Sequence, residues 1–222
     1  MTQAYFLTGT DTEVGKTFIT CALLHRGRQL GLRAAGLKPV AAGTDATGRN
    51  DDVEQIRAAS NIELPPGIVN PYCFAPAIAP HIAAAELGVN IDLAVIEAAT
   101  ALARLEANLL IVEGAGGFRI PLGRGGDSAD LAVRLGLPVI LVVGLRLGCI
   151  NHALLTAEAV AARGLHLAGW VANRVDPAMA RPDENLFTLQ SLIGAPLLGV
   201  VPYAPAGGAA GAADFLQLPS SF

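Results

Sequence analysis

Nine consecutive residues, Gly9-Thr10-Asp11-Thr12-Glu13-Val14-Gly15-Lys16-Thr17, have the types and spacing of a loop that cradles phosphates. In such loops the backbone N–H groups and the first turn of the following helix face an anion, a lysine reaches the outer phosphates, and a Ser or Thr hydroxyl holds Mg²⁺. Lys16 and Thr17 fill those two places. The glycines stand one residue further apart than in the strict G-x-x-x-x-G-K-[ST] pattern, so the loop is a longer variant. The apolar run Ala4–Thr8 precedes it, and a helical stretch from Lys16 to about Leu30, closed by Gly31, follows.

Further residues could share that crevice. Lys38-Pro39-Val40 puts a cation at the end of a second strand, where it could screen a transferring phosphoryl group or hold an anionic nucleophile. Glu113-Gly114-Ala115-Gly116-Gly117 ends a third apolar run in an acid, a place suited to a metal carboxylate. Asp51 and Asp52 open a helix; they either complement its dipole or join Thr17 and Glu113 as oxygen donors to Mg²⁺. Asn173 ends the run Gly169–Asn173, and its amide either matches the edge of adenine or caps a turn. Gly148-Cys149-Ile150-Asn151-His152 opens a helix whose free N–H groups suit a carboxylate, or is simply a capped start. His25, His81, His152 and His166 share no spacing, which reads as structural histidines rather than a metal site or triad.

The elements that must position these residues are strands alternating with helices. Apolar runs without alternation predict strands at Ala4–Thr8, Ala34–Val40, Leu109–Glu113, Pro138–Val143, Leu167–Asn173 and Leu197–Val201. Helical patterns lie between them at about 51–59, 92–105, 128–135, 151–163 and 183–192. This order predicts one α/β domain over residues 1–222: a doubly wound, mainly parallel sheet with helices on both faces. Ligands in such sheets bind outside the carboxyl ends of the strands. The segment 61–80 holds five of the 14 prolines and reads as an irregular excursion. Residues 205–222 read as a mobile tail, rich in Gly and Ala over 205–213.

Composition narrows the function. Hydrophobic residues make up 52% of the 222 and charged residues 15%, which excludes a disordered scaffold. The net charge of −4 argues against an electrostatic nucleic-acid binder. Three dispersed cysteines point away from a disulfide framework. No basic segment leads a long apolar run at the amino terminus, and the apolar run 135–145 is too short for a bilayer, so a soluble cytoplasmic protein is expected.

Taken together, the loop at 9–17, Lys-Pro-Val at 38–40, Val-Asn-Pro-Tyr at 69–72, Pro-His at 80–81, Val-Glu-Gly-Ala-Gly-Gly at 112–117, Leu-Gly-Cys-Ile-Asn-His at 147–152 and Gly-Trp-Val-Ala-Asn at 169–173 resemble the dethiobiotin synthetase family. The likeness runs from about Tyr5 to Pro202, and the family's loop has the same longer glycine spacing. The resemblance implies an ATP- and Mg²⁺-dependent ligase that turns 7,8-diaminononanoate and CO₂ into dethiobiotin, through a carbamate and a carbamic–phosphoric anhydride. It implies catalytic roles for Lys16 and Lys38, and a metal shell of Thr17, Asp52 and Glu113. Around ATP it places Glu13, Val14, Gly15, Lys16, Thr17, Phe18, Asp52, Glu113, Gly114, Ala115, Gly116, Asn173, Arg174, Pro202, Tyr203 and Ala204. Around the diamine it places Thr12, Lys38 and Ala42, with Gly148, Cys149 and Asn151 supplied by the second subunit of a homodimer. Ala42 stands where the family usually has Ser or Thr, with Thr44 nearby, and residues 207–213 lack the acid usual near the nucleotide.

Two other readings stand beside it. A switch or partitioning ATPase usually carries an additional lysine early in the loop, where this chain has Thr10 to Glu13. A related amidating or carboxylating ligase would differ only in substrate.

Overall fold

Apolar runs that must be buried on both faces become neighbouring strands, and the chain between them supplies the cover. A computed structural model describes residues 2–220. In chain order it contains β1 (Gln3–Gly9), α1 (Lys16–Gln29), β2 (Ala34–Leu37), β3 (Val40–Ala42), α2 (Asp51–Ala59), α3 (Pro66–Val69), β4 (Tyr72–Phe74), α4 (Pro80–Glu86) and α5 (Leu93–Glu106). There follow β5 (Leu109–Gly117), α6 (Ser128–Leu135), β6 (Val139–Leu145), α7 (Cys149–Ala162), β7 (Leu167–Arg174), α8 (Pro182–Leu192), β8 (Leu197–Val201) and α9 (Gly208–Ala212), then a 3-10 turn at Ala213–Phe215.

Six strands form one sheet in the order β2-β5-β1-β6-β7-β8, and every neighbouring pair is parallel. Successive strand residues point to opposite faces. Tyr5, Leu7, Ile111 and Ile140 therefore pack with Ile19, Leu23 and Leu24 of α1 on one side. Phe6, Leu110, Val112 and Val139 pack with Ile96 of α5 and Leu131 of α6 on the other. Leu141, Val143 and Trp170 meet Ala153 of α7 and Leu189 of α8. Leu7 lies opposite Glu113 in the register, so the Glu113 side chain emerges on the α1 face. The sequence order of the strands reverses at β1, which opens the crevice between the carboxyl ends of β5, β1 and β6.

The structure departs from the sequence reading in several places; β5, expected to end at Glu113, runs on to Gly117. The predicted strand 34–40 is two strands in two sheets: β2 joins β5, whereas β3 pairs with β4. The break falls at Lys38-Pro39, because Pro39 has no N–H to continue a ladder. Lys38 N–H donates to Val69 O at 2.9 Å and Tyr72 N–H to Pro39 O at 3.0 Å, so the chain turns toward the 61–80 excursion, which is ordered as α3 and β4. Helix α7 begins at Cys149 rather than Asn151, because Gly148 takes φ 95° just before it.

The carboxyl-terminal tail, expected to be mobile, packs on the fold throughout its described part; residues 221 and 222 lie outside the described residues. Its small Gly and Ala side chains let α9 lie close against α1, with Ala212 and Ala213 buried. Leu216 is buried and bridges Gly199, and Gln217 N–H donates to Leu198 O at 2.8 Å. Leu216→Ala should therefore cost about 2–4 kcal/mol, as for a buried leucine in a rigid core. Urea unfolding checks this; a loss below about 0.5 kcal/mol would mean that the tail contributes no core.

Candidate functional site

Every side chain of the crevice is delivered by the end of an element. Strand β1 stops at Gly9, where a Cβ would lie 2.6 Å from Val14 Cγ2, so only glycine lets the loop fold back on its own strand. Gly15 takes φ 83° just before α1, and a Cβ there would strike the Asn173 amide. The helix then presents Thr17 and Thr20, three positions apart on one face, toward the end of β5.

There Glu113, fully buried, is the centre of a closed set of contacts. Its Oε1 accepts from Thr17 Oγ1 at 2.8 Å and from Lys38 Nζ at 2.6 Å, and its Oε2 accepts from Thr20 Oγ1 at 2.6 Å. Lys38 Nζ donates also to Asp52 Oδ2 at 2.7 Å. Asn50 caps α2 through Val53 N–H, and its Nδ2 donates to Gly43 O at 2.6 Å, which fixes the helix start that carries Asp52. The cluster thus brings Lys38, Thr17, Asp52 and Glu113 together. Thr20 was not anticipated; its spacing from Thr17 on one helix face is the signal that would have found it. Asp51, the other half of the acidic pair, points to solvent.

The two lysines are tuned in opposite directions. Burial alone would lower the Lys38 ammonium, but Glu113 and Asp52 outweigh it and hold it above its ordinary value. Burial would raise the Asp52 carboxyl, and Lys38 pulls it below the usual carboxylate range. Among the described residues, Lys16 has one direct partner, the main-chain oxygen of Asp11 at 2.8 Å. Burial, with Lys38 adding to it and Glu113 opposing, pushes its pKa down to about 8. Keeping Lys16 charged in the free fold at neutral pH costs roughly 3 kcal/mol, since each tenfold change in a protonation equilibrium is worth about 1.4 kcal/mol. Because the folded value lies below the unfolded one, that cost is full below pH 8 and fades as pH rises toward 10.5. Cys21, packed behind the cluster, is pushed up to about 12 by burial and nearby Glu113, which leaves an unreactive thiol.

The remaining candidates fall into separate regions. Thr12 lines a cleft of about 330 Å³ with Asp11, Phe118, Ile120 and Leu155. Ala42 ends β3, and the adjoining Gly43 and Thr44 line a cleft of about 360 Å³ with Asp52. Asn173 Nδ2 donates to Val14 O at 3.0 Å, so its amide nitrogen holds the loop. Arg174, which pairs with Asp183 at 2.5 Å, and Tyr203 line a cavity of about 220 Å³, with Pro202 and Ala204 flanking Tyr203 in the chain. Glu13 lies exposed in the loop, Val14 is buried in the core on the α1 side, and Phe18, on α1 itself, packs against that core. Gly114 passes the Phe6 ring, which would lie 3.0 Å from a Cβ; Ala115 follows, and Gly116 takes φ 61° beneath Ile120. Gly148, Cys149 and Asn151 form the start of α7, with Cys149 buried and Asn151 exposed. Among the described residues no three His, Cys, Asp or Glu side chains gather as a metal-type group.

A phosphate-type loop, a buried acid on the neighbouring strand and a parallel sheet with its switch point beside them define the P-loop class of nucleotide-binding α/β proteins. Residues 3–210 match a family model described as an AAA domain. Two solved structures have the same frame: MinD of Pyrococcus horikoshii complexed with Mg-ADP (TM-score 0.57, 16% identity, 91% of this chain and 82% of that one) and the MinC:MinD complex of Aquifex aeolicus (TM-score 0.57, 12% identity, 99% and 98%). At that identity the likeness concerns the fold alone. The ATP-dependent dethiobiotin synthetase BioD of Aromatoleum aromaticum is 60% identical over 222 residues, covering 98% of each chain. The chain belongs to the dethiobiotin synthetase family.

Replacing Glu113 by Gln should destabilise the protein by about 3 kcal/mol, because the buried Lys38 then keeps Asp52 alone as its counter-ion. Urea unfolding at pH 7 measures it, and a change under about 1 kcal/mol would show that Glu113 does not neutralise Lys38.

Proposed function

We propose that the protein carries out ATP-dependent carboxylation and ring closure of 7,8-diaminononanoate to give dethiobiotin, ADP and phosphate. The reading is carried by one observation: two buried lysines, Lys16 and Lys38, converge with Thr17, Asp52 and Glu113 at the carboxyl edge of the sheet, in a chain of this family.

One amine of the substrate adds to CO₂ and loses a proton, giving a carbamate. A carbamate oxygen then attacks the γ-phosphorus of ATP as the bond to the β-phosphate oxygen breaks, forming a carbamic–phosphoric anhydride and ADP. The second amine attacks the carbonyl carbon, loses a proton and expels phosphate, closing the cyclic urea. The attack of an anion on a polyanion needs fixed positive charge, and electrostatic preorganisation is the largest contribution a protein can make to it. In this reading Lys38, kept protonated by its two carboxylates, faces the carbamate. Lys16 leaves the Asp11 carbonyl for the outer phosphates, and the charge that burial disfavours gains its counter-ion.

Thr17, Asp52 and Glu113 fit Mg²⁺, since all three offer hard oxygen donors and already converge with a cation, Lys38, among them. Mg²⁺ held there would neutralise charge on the β- and γ-phosphates. The Asn173 carbonyl oxygen and the cavity beside Arg174 and Tyr203 suit the adenine side. Thr12 and the apolar walls Phe118, Ile120 and Leu155 suit an aliphatic diamine. In the same reading the chain works as a cytoplasmic homodimer, with Gly148, Cys149 and Asn151 of one subunit serving the other's substrate carboxylate. The outward Leu147 and Phe187, 95% and 74% exposed, favour a covering partner, and the free cysteines favour a reducing compartment.

Incubation with 7,8-diaminononanoate, bicarbonate, Mg²⁺ and ATP should yield the cyclic urea by mass spectrometry, with one phosphate per ring. ATP turnover independent of the diamine, with no ring product, would favour a switch-type ATPase instead. Lys16→Ala and Lys38→Ala should each lower turnover by about 10²-fold or more. Ala42→Ser should be tolerated, and its steady-state KM for the diamine tests that directly.

A further inference from the structure

The phosphate loop contains a residue in a costly backbone state. Glu13 takes φ 60°, in the left-handed region that non-glycine residues avoid. Such a state persists only where its surroundings over-determine it. Several anchors do so here. Thr10 N–H donates to Val142 O at 3.0 Å, and Val14 O accepts from Asn173 at 3.0 Å. Val14 also rests on Gly144, where a Cβ would approach the Val14 Cβ to 3.0 Å.

The last anchor is a side chain outside the sets named so far. Arg146 stands just beyond β6, and its Nη2 donates to Asp11 Oδ2 at 2.7 Å. Asp11 is a hub of the loop: its Oδ1 accepts Thr12 N–H at 2.7 Å, and its main-chain oxygen accepts Lys16 Nζ at 2.8 Å. Through one carboxylate, the guanidinium holds the residue that parks the phosphate-facing lysine.

We propose that Arg146 is a positioning residue for the nucleotide: by locking Asp11 it keeps the loop amides and Lys16 in the shape that receives phosphates. The proposal rests on the reading of this loop as the seat of ATP. The pair is partly exposed, at 36% and 46%, so its loss should barely affect folding while loosening the loop. That separates positioning from a structural role.

Calorimetric titration of Mg–ADP into the full-length protein tests it, comparing wild type, R146M, R146K, D11N and the R146M/D11N double variant. R146M should bind about tenfold more weakly, the scale of one charge-assisted hydrogen bond. R146K, which restores a cation opposite Asp11, should recover most of the loss, and D11N should match R146M. The double variant should be no weaker than either single one, because the two residues act as a unit. Unfolding midpoints should stay within about 3 °C of wild type. Wild-type affinity in R146M, or additive losses in the double variant, would overturn the proposal. If R146M does not fold, D11N decides: undiminished binding there is equally fatal. A wild-type protein that binds no nucleotide would instead refute the reading of the loop, so the two failures are distinguishable.

Discussion

An ammonium group clamped between two carboxylates is the constraint around which the crevice is built. Glu113 is wholly buried, and a buried carboxylate without a counter-charge is too costly to persist. Lys38 supplies that charge at 2.6 Å, and Thr17 and Thr20 satisfy the remaining lone pairs. Each partner comes from a different part of the chain, so the cluster fixes their relative placement. Strand β5 can carry an acid into the core because β2 ends at Leu37, and Lys38, just beyond it, reaches that acid. Helix α1 must begin where Thr17 and Thr20 meet the same carboxylate. Helix α2 must be capped at Asn50 for Asp52 to close the second side.

The frame is shared more widely than the chemistry. A sheet that superimposes on MinD at 16% identity supplies the crevice and the helix start behind the loop, and both suit any nucleoside polyphosphate. On that frame this chain carries the loop residues Thr10 to Glu13, the lysine after β2, and the apolar cleft of Phe118, Ile120 and Leu155. Loops positioned by a rigid sheet are where such differences accumulate at little cost to the core.

Much of this was legible in the sequence, because burial on both faces writes strands as unbroken apolar runs. The run at 197–201 and the helices at 51–59 and 128–135 fall where the structure has them. Lys16, Thr17, Lys38, Asp52 and Glu113 were legible as candidates because the sequence sets each near the start or finish of a predicted element on one edge of a parallel sheet. What was not legible has a common cause: it depends on partners distant in sequence. That the chain changes sheets at Pro39 follows from pairing with Tyr72–Phe74. Thr20 and Arg146 are ordinary residues until Glu113 and Asp11 come beside them. The Gly- and Ala-rich tail suggests looseness, whereas small side chains are also what close packing on α1 requires.

The contrast between the two lysines follows from the same geometry. Both are about equally buried, at 7% and 6% exposed, so desolvation acts on both. Lys38 has two carboxylates within 2.7 Å and is held above its ordinary value; Lys16 has a carbonyl oxygen and falls to about 8. A neutral acceptor compensates an ammonium far less than an anion does. Lys38 is therefore complete within the protein, and its charge is neutralised before any ligand arrives. Lys16 is incomplete, and an approaching anion would return the stability that its burial removes. Of the two, it is the lysine at the helix start whose energetics favour gripping a phosphate, while the one between carboxylates is suited to hold its position. The contrast follows from where each lysine stands: Lys38 just beyond β2, within reach of Glu113 on β5, and Lys16 at the start of α1, beside a main-chain oxygen.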